Sequence, residues 1–418
     1  MSSKVTKNEA LDYHRVPTPG KVAINATTRL ESQRDLSLAY SPGVAFPCEE
    51  IQKDAELAYE YTSKRNLVAV ISNGTAVLGL GNIGAIASKP VMEGKAVLFK
   101  KFAAVDSFDI EVDETDVDKF CEIVKAISPT FGGINLEDIK APECFEIERR
   151  LIEELDIPVM HDDQHGTAII TTAALMNASE MMNKKLEDMK VVVVGAGASA
   201  VACSTMYKGA GIKNLIMCDS KGVIHSQRTD LNKYKQDFVT SEATTMEEAF
   251  TNADMVLGLS KPGSFTKELI ALMAEEPIVF TLANPTPELF PEEVREVKPK
   301  AIIGTGRSDF PNQVNNVLGF PFIFRGALDV QTKKINMEMK IAAAKAIAKL
   351  AKEPLYPELK VLFGDKSYGK EYIIPTPFDK RLMVEVSAAV ANAAYETGVA
   401  RVKEFNLEAY REKLSHMV

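Results

Sequence analysis

Short apolar runs alternate with helical patterns through the second half of the chain. The runs are rich in Val, Ile and Leu and have the length of buried strands, and apolar residues at every third or fourth position mark helices between several of them. This alternation predicts a parallel sheet wound with helices. The predicted strands cover residues 190–194, 214–218, 253–259, 278–282 and 301–303.

The first half follows a less regular pattern. Residues 66–72 (NLVAVIS) are apolar and β-branched, which predicts a buried strand. Asn73-Gly74 is typical of a tight turn, so residues 75–80 are predicted to return as a second strand. Further predictions are strands at 94–99 and 108–112, a helix at 57–64 and an amphipathic helix at 142–155 that starts at a proline.

The pattern changes near residues 160–166, which predicts two domains, 1–163 and 164–418. Long helical patterns cover residues 167–182, 336–352 and 381–403. We therefore expect an α/β fold, with an N-terminal α/β domain for substrate and metal. A Rossmann-like doubly wound domain that binds a dinucleotide follows, closed by C-terminal helices.

Composition narrows the class of protein. The 418 residues are 46% hydrophobic and carry a net charge of −9, which suits a globular chain and argues against a nucleic-acid binder. The five cysteines form no CxxC pair, as expected for reduced thiols. The N-terminus lacks the apolar region of a secretory signal, and no apolar run approaches about 20 residues. A cytoplasmic protein without membrane contact is expected.

Two glycine-rich loops compete for the dinucleotide, GLGNIG at 79–84 and GAGASA at 195–200. The second follows the strand VVVV and opens a helix, and Asp219 ends the next strand near the expected spacing of about 20 residues. We assign the dinucleotide to the second loop and expect the first to be a close-packed turn on the substrate side. The alternative is that the second loop binds nothing. The predicted cofactor contacts on the loop are Gly195, Gly197, Ala198, Ser199 and Ala200.

Carboxylates cluster in two motifs that flank the predicted helix 142–155. Glu137 and Asp138 follow Gly132-Gly133, and the second motif is HDDQHG at 161–166. Three carboxylates suit Mg²⁺ or Mn²⁺, which prefer oxygen ligands. The alternatives are ordinary solvated acids, or a zinc pair of His161 and His165.

A lysine and a tyrosine complete a candidate acid–base pair. Lys95 begins the predicted strand after Gly94, and Tyr40 lies in a turn-rich segment. Each alone is typical of a structural residue. Beside a metal and a nicotinamide, however, a lysine with a depressed pKa can act as a base.

These motifs together resemble the malic enzymes, in their short bacterial-type form without a phosphate acetyltransferase-like extension. The resemblance runs from about residue 13 to 401. The motifs are LAYSPGVA, NGTAVLGLGNIG, EGKAVLFKKF, FGGINLEDIKAP, HDDQHGTA, VVVVGAGASA, LANPTPE and GRSDFPNQVNNVLGFPFIFRGALD.

The resemblance implies oxidative decarboxylation of L-malate to pyruvate and CO₂, through oxaloacetate, with reduction of NAD(P)⁺. It makes Lys95 the general base and Tyr40 the acid that protonates the enol. By the same resemblance, Glu137, Asp138 and Asp163 hold Mg²⁺ or Mn²⁺, while Asn284 lies near the nicotinamide and Asn284 and Asn315 bind the substrate.

The sequence departs from the family pattern at the substrate carboxylate. Larger members carry an arginine after the NG turn, where this chain has Ala76. The sequence also gives opposing indications for the choice between NAD and NADP. Asp219 favours NAD through the ribose hydroxyls, whereas Ser220 and Lys221 resemble the NADP-preferring branch and can meet a 2′-phosphate. We favour NADP.

Three other functions remain open at this point. A malolactic-type lyase keeps NAD bound and releases lactate, an amino-acid dehydrogenase needs no metal, and a sensor or scaffold retains only the fold. The family also implies a homodimer or a higher homo-oligomer. The sequence leaves open which subunit supplies Tyr40 and Lys95 to each site.

Overall fold

Two largely parallel sheets carry the fold, one in each half of the chain. The structure is a computed structural model that describes residues 5–418, apart from the side chain of Leu78. The first sheet consists of β1 (Leu67–Ser72), β2 (Asp106–Glu111), β3 (Gly133–Leu136) and β4 (Val159–His161). All four strands are parallel, in the order β2-β1-β3-β4.

The second sheet has the predicted doubly wound arrangement. Its strands are β5 (Lys190–Val194), β6 (Asn214–Asp219), β7 (Gly222–Val223), β8 (Met255–Gly258), β9 (Ile278–Thr281) and β10 (Ile302–Thr305). The order is β10-β9-β8-β5-β6-β7, with β7 alone antiparallel at the edge. The chain leaves β5 for β6 on one side and returns to β8 on the other. This topological switch point is where such sheets bind their ligands.

Helices cover both sheets and close the C-terminal end. In the first half they are α1 (Lys7–Arg15), α2 (Gln33–Ala39), α3 (Ala45–Lys53), α4 (Ala58–Tyr61), α5 (Ala85–Ala103), α6 (Val117–Ile127) and α7 (Glu143–Glu154). From the boundary onwards they are α8 (Asp162–Met181), α9 (Ala198–Ala210), α10 (Lys233–Gln236), α11 (Met246–Phe250), α12 (Lys267–Ala271), α13 (Pro291–Val297), α14 (Phe320–Asp329), α15 (Met337–Ala351), α16 (Pro357–Phe363), α17 (Arg381–Glu396) and α18 (Leu407–Ser415). Among the described residues, no helix combines the length and apolarity needed to cross a bilayer.

The strands are continuous apolar runs because helices shield the sheets on both faces. Every residue of β1 is buried, as are four of the five residues of β5. The helix predicted at 142–155 is confirmed as α7, whose buried face combines Cys144, Ile147 and Leu151 with one acid, Glu148. These strands and this helix could be predicted because their signals are local.

Two strand predictions in the first half are wrong. Residues 75–80 do not return as a strand but form a loop that ends in a short 3-10 helix, Leu78–Leu80. Residues 94–99 lie inside α5, so Lys95 is a helical residue. A short apolar run fits a strand or a buried helix equally well. Burial of Met92, Ala96, Phe99 and Ala103 on one face of the 19-residue helix decides the matter.

The predicted boundary between residues 163 and 164 falls in the first turn of α8. This helix starts directly after β4 of the first sheet, and it packs against α9 and α15 of the second half. Helix α8 thus belongs to both halves at once. The division into 1–163 and 164–418 stays a prediction.

The N-terminal segment, residues 5–53, contributes no buried residue. Lys21 attaches it to α5, because its backbone N–H donates to Glu93 Oε2 (3.0 Å) and its Nζ donates to the carbonyl oxygen of Pro90 (2.6 Å). Many large apolar side chains of the segment face solvent: Leu11, Tyr13, Val16, Val22, Ile24, Leu30, Leu36, Leu38, Tyr40, Val44 and Phe46. The segment has the character of a surface that packs against another molecule.

Aromatic contacts join the two halves beneath the cleft between them. The ring of Phe99 on α5 lies 4.8 Å from that of Phe320 and 5.4 Å from that of Phe324, both on α14 and both edge-on. All three rings are buried. Edge-to-face pairs of this kind add stability beyond the burial of their area.

We expect Phe99→Ala to destabilise the chain by about 3–5 kcal/mol, because it leaves a cavity between α5 and α14. Chemical denaturation followed by circular dichroism measures the change. Leu362, which is 69% exposed, provides the control, since Leu362→Ala removes surface side-chain atoms only. Equal effects of the two substitutions would contradict this account of the contact.

Candidate active site

A cavity of about 630 Å³ lies between the two halves, at the carboxyl ends of their strands. Its floor combines the residues that follow β3 and β4 with those that follow β5, β8, β9 and β10. Its polar lining includes Lys95, Glu137, Asp138, Asp163, Thr167, Ser199, Ser260, Asn284, Asn315 and Asn316. The fold therefore brings most of the predicted site residues into one place.

Lys95 reaches the cavity from the middle of α5. Its Nζ lies 2.9 Å from Glu137 Oε1 and 2.7 Å from Asp162 Oδ2, and 4.2 Å from the centre of the Phe320 ring. Burial opposes the charged form, but the two carboxylates outweigh it and raise the pKa of Lys95 above its usual value. The expected depression of the pKa is therefore not found, because the neighbouring acids favour the ammonium.

Three carboxylates converge beside Lys95. One oxygen each from Glu137, Asp138 and Asp163 lies within 4.8 Å of the others. The backbone N–H of Asp138 donates to Asp163 Oδ2 at 2.8 Å, which fixes the two motifs against each other. Burial and the neighbouring acids raise the pKa of Glu137 well above its usual value, although Lys95 lowers it. The negative charge of these closely spaced acids favours binding of a cation in addition to Lys95. A site with only oxygen ligands suits Mg²⁺ or Mn²⁺.

The two histidines of the second motif have other surroundings than a zinc pair. The Nε2 of His165 lies 3.0 Å from Glu148 Oε2, and the ring of His161 is fully buried. Among the described residues, the group of possible metal ligands that converges is Glu137, Asp138 and Asp163. The oxygen set is therefore favoured over zinc.

The second glycine loop lines the cavity, as the sequence predicts for a dinucleotide loop. Gly195 has a φ of +134°, and a Cβ there would lie 2.5 Å from the carbonyl oxygen of Leu259. Gly197 caps α9, so the helix N-terminus faces the cavity. Ser199 Oγ donates to the carbonyl oxygen of Asp163 at 2.6 Å, which ties the loop to the carboxylate cluster.

The first glycine loop is not the close-packed turn expected there, because residues 79–82 are exposed and residues 79–84 do not line the cavity. A Cβ on Gly79 would lie 2.9 Å from Pro285 Cδ, so this loop touches the segment after β9 of the other half. It also follows a strand and leads into a helix, α5, contrary to the hairpin expected there. A position between a strand and a helix is therefore common to both loops and does not by itself distinguish them.

Asp219 lies at the end of β6, beside the start of the second loop, where the N–H of Gly195 donates to the carbonyl oxygen of Cys218. Its carboxylate is held by Arg228, with bonds of 2.7 and 2.9 Å, and by Lys235 at 2.6 Å. Burial acts against the charged form, but these cations hold the pKa of Asp219 far below its usual value. Gly195, Asp219, Ser220 and Lys221 do not line the cavity itself.

Two asparagines and one alanine complete the substrate side. Asn284 precedes Pro285, and Asn315 Oδ1 accepts from the N–H of Val317 at 3.0 Å, which orients its amide. Both line the cavity, as does Ala76 at the place of the family arginine. Lys95 is the cationic side chain among the cavity-lining residues that the structure describes.

Tyr40 does not join these residues in the described chain. It ends α2 in the N-terminal segment and is 70% exposed.

The site also contains residues that the sequence did not indicate. Asp162 holds Lys95, and Asn316 Nδ2 donates to Asp162 Oδ2 at 3.1 Å. Both lie inside quoted motifs, whereas Arg228 and Lys235 carry no local signal.

Comparisons with known proteins identify two matching families and several relatives of the chain. The family described as malic enzyme, N-terminal domain, matches residues 19–152, and that described as malic enzyme, NAD binding domain, matches residues 164–363. The NADP-dependent malic enzyme of Escherichia coli (strain K12) is 56% identical over 99% of this chain and 55% of its own length. That of Halomonas elongata is 55% identical over 94% of this chain and 95% of its own length.

A solved structure gives the same result for the fold. The malic enzyme from Pyrococcus horikoshii Ot3 superposes with a TM-score of 0.90 at 43% identity, over 98% of this chain and 95% of its own. The chain spans about half the length of several curated relatives that it matches. By its two matched domains, its sequence identity and its fold, the chain belongs to the malic enzyme family.

Proposed function

We propose that the chain catalyses metal-dependent oxidative decarboxylation of L-malate to pyruvate and CO₂, with reduction of NAD(P)⁺. The supporting observation is the convergence of Lys95, the three carboxylates and the second glycine loop in one cavity. Each group alone has a structural explanation. Together they provide a base, a cation site and a dinucleotide loop within one substrate-sized space.

Glu137, Asp138 and Asp163 would hold Mg²⁺ or Mn²⁺. A divalent cation there supplies Lewis-acid polarisation of the substrate oxygen. The bond from Asp138 N–H to Asp163 keeps these ligands together before a cation binds. The chain itself thus provides an arranged oxygen set, and the cation offsets its crowded negative charge.

Lys95 would take the proton of the C2 hydroxyl at Nζ as the neutral amine, the form that a cation bound among the carboxylates would favour by offsetting their charge. Asp162 fixes the position of Nζ from one side, while the ring of Phe320 covers it from another. The amides of Asn284 and Asn315 would donate to the substrate carboxylate in place of the missing arginine. An amide donates without adding a fixed positive charge beside Lys95.

We infer a preference for NADP from the surroundings of Asp219. An acid at this position favours NAD when its carboxylate is free to accept from the ribose hydroxyls. Here Arg228 and Lys235 already occupy that carboxylate. Two cations therefore balance the carboxylate of Asp219, which reduces its repulsion of a 2′-phosphate. The same cations supply hydrogen-bond donors for that phosphate. Lys221 pairs with Asp230 nearby.

We also infer that the active unit is a homodimer in which Tyr40 acts in the partner's cavity. Tyr40 is exposed in its own chain, and its neighbours Leu38 and Phe46 are 60% and 69% exposed. A segment of this length with no buried residue gains stability by packing on a second copy. Tyr40 would then protonate the enol at C3.

The central test of this function is an assay with L-malate, Mn²⁺ and either NAD⁺ or NADP⁺. We expect absorbance of the reduced nicotinamide to rise with pyruvate as product, and EDTA to abolish the rise.

Lys95→Met should lower kcat by about 10²-fold or more, since it removes the base. Lys101→Met, at the exposed end of the same helix, is the matched control. Lactate without net reduction would instead indicate the malolactic lyase.

The assignment of Tyr40 is tested by mixing two inactive variants, Tyr40→Phe and Lys95→Met. If each site combines Lys95 of one chain with Tyr40 of the other, random reassociation should restore about a quarter of wild-type activity, because half the dimers contain one intact site. Activity of mixed and separate variants is compared at equal total protein. No restoration after verified subunit exchange would place both residues in one chain's site.

The cofactor preference is tested by Arg228→Ala. Loss of a charge-assisted contact to the 2′-phosphate should lower kcat/KM for NADP about 10-fold relative to that for NAD. Initial rates with both cofactors give the ratio. Lys213→Ala, which breaks the exposed pair with Glu187 on the same sheet, serves as the control. An unchanged ratio would remove Arg228 from cofactor selection.

A further inference from the structure

A buried carboxylate lies behind the cavity without touching it. Glu148 is on the inner face of α7 and only 6% exposed. An acid at such a position is unfavourable unless nearby groups compensate its charge. The groups that do so indicate what the residue is for.

Glu148 connects two points of the segment that carries the site acids. Its Oε1 accepts from the backbone N–H of His161 at 2.8 Å, and its Oε2 lies 3.0 Å from Nε2 of His165. His161 ends β4, and His165 lies in the first turn of α8. Asp162 and Asp163 lie between them, so one carboxylate brackets both acids.

The bracketed segment has little local support of its own. His161 is the N-cap of α8 and makes no side-chain capping bond, so the start of the helix depends on partners elsewhere. The backbone of residues 161–165 sets the directions of two side chains. Asp162 points towards Lys95, and Asp163 points towards the carboxylate cluster. The buried ring of His161 also lies directly behind Asp163, with Nδ1 3.8 Å from Oδ2.

We propose that Glu148 is a positioning residue for metal binding, through its contacts at both ends of the 161–165 segment. It fixes residues 161–165 so that Asp163 joins Glu137 and Asp138 while Asp162 holds Lys95. This inference rests on the proposed metal site. It adds to that site a carboxylate that does not line the cavity.

His165, and after it Lys340, favours the charged form of Glu148. Lys340 lies on α15 and is 8% exposed. Burial lowers the pKa of Lys340 to about 8, with Glu148 opposing the shift, so the ammonium form still dominates at neutral pH. Burial would raise the pKa of Glu148, but His165 first, and then Lys340 and His161, lower it to about 2. A charged carboxylate accepts both hydrogen bonds more strongly than a neutral acid.

Two single variants and their combination test this arrangement. Glu148→Gln keeps the shape of the side chain. Its amide NH₂, however, would face one of the two groups that meet Glu148, the N–H of His161 or Nε2 of His165. Lys340→Met keeps most of the volume but removes one of the charges that favour the ionised form of Glu148. We expect each to raise the Kd of the cofactor-free chain for Mn²⁺ about 10-fold or more. Electron paramagnetic resonance of free Mn²⁺ measures this directly, without turnover. The double variant should be no weaker than the weaker single variant, because both changes remove one unit.

Kinetics and spectroscopy separate positioning from a general loss of stability. The KM for Mn²⁺ should rise with little change in kcat at saturating Mn²⁺. In the wild-type chain, ¹⁵N shifts of His165 should place its proton on Nε2, facing Glu148. The control is Lys184→Met, which breaks the pair with Asp254 (2.6 Å) in the second half and should lower the melting temperature without changing the Kd.

The outcomes distinguish this inference from the proposed function. Wild-type Kd values in both folded variants, or a His165 proton on Nδ1, would overturn the role of Glu148 and leave the proposed function intact. A wild-type chain that binds no Mn²⁺ would overturn the metal site and this inference together. Weaker binding in Glu148→Gln and Lys340→Met, with normal binding in Lys184→Met, supports it.

Discussion

The arrangement of the cavity depends on one buried ammonium among carboxylates. Lys95 enters from α5, and Glu137 and Asp162 follow neighbouring strands of the first sheet. Buried charges are stable only when they meet opposite charges in good geometry. The helix, the strand ends and the turn into α8 must therefore fit together. Packing of Phe99 against α14 holds α5 where this contact forms.

The second half of the chain is bonded to the same turn. Ser199, in the first turn of α9, donates to the carbonyl oxygen of Asp163. Asn316, from a segment much later in the chain, donates to Asp162. The β4–α8 junction is therefore the point where the two sheets are aligned. In the proposed reaction, Lys95 and a bound cation would act on the C2 oxygen while C2 gives its hydride to the nicotinamide, and this junction would set their spacing.

Compensation of buried or crowded acids recurs at three places in the fold. Lys95 balances the cluster at the cavity, and Arg228 and Lys235 balance Asp219 beside the dinucleotide loop. His165 and Lys340 favour the charged form of Glu148 behind the proposed metal site. In each case the cation comes from another element than the acid. Charge pairing thus links elements that hydrophobic packing alone would leave free to slide.

The sequence by itself determined the second sheet, helix α7 and the acids of the site, because strand runs, helical periodicity and strand-end motifs are local signals. It placed Lys95 on a strand, since a short apolar run suits either element until a neighbouring surface buries one face of it. Only the tertiary structure decided that Asp162 holds Lys95, that Glu148 joins His161 to His165, and that Tyr40 lies outside its own chain's cavity. These contacts join residues far apart in the chain, and charges at such separations interact strongly only after folding brings them together away from water.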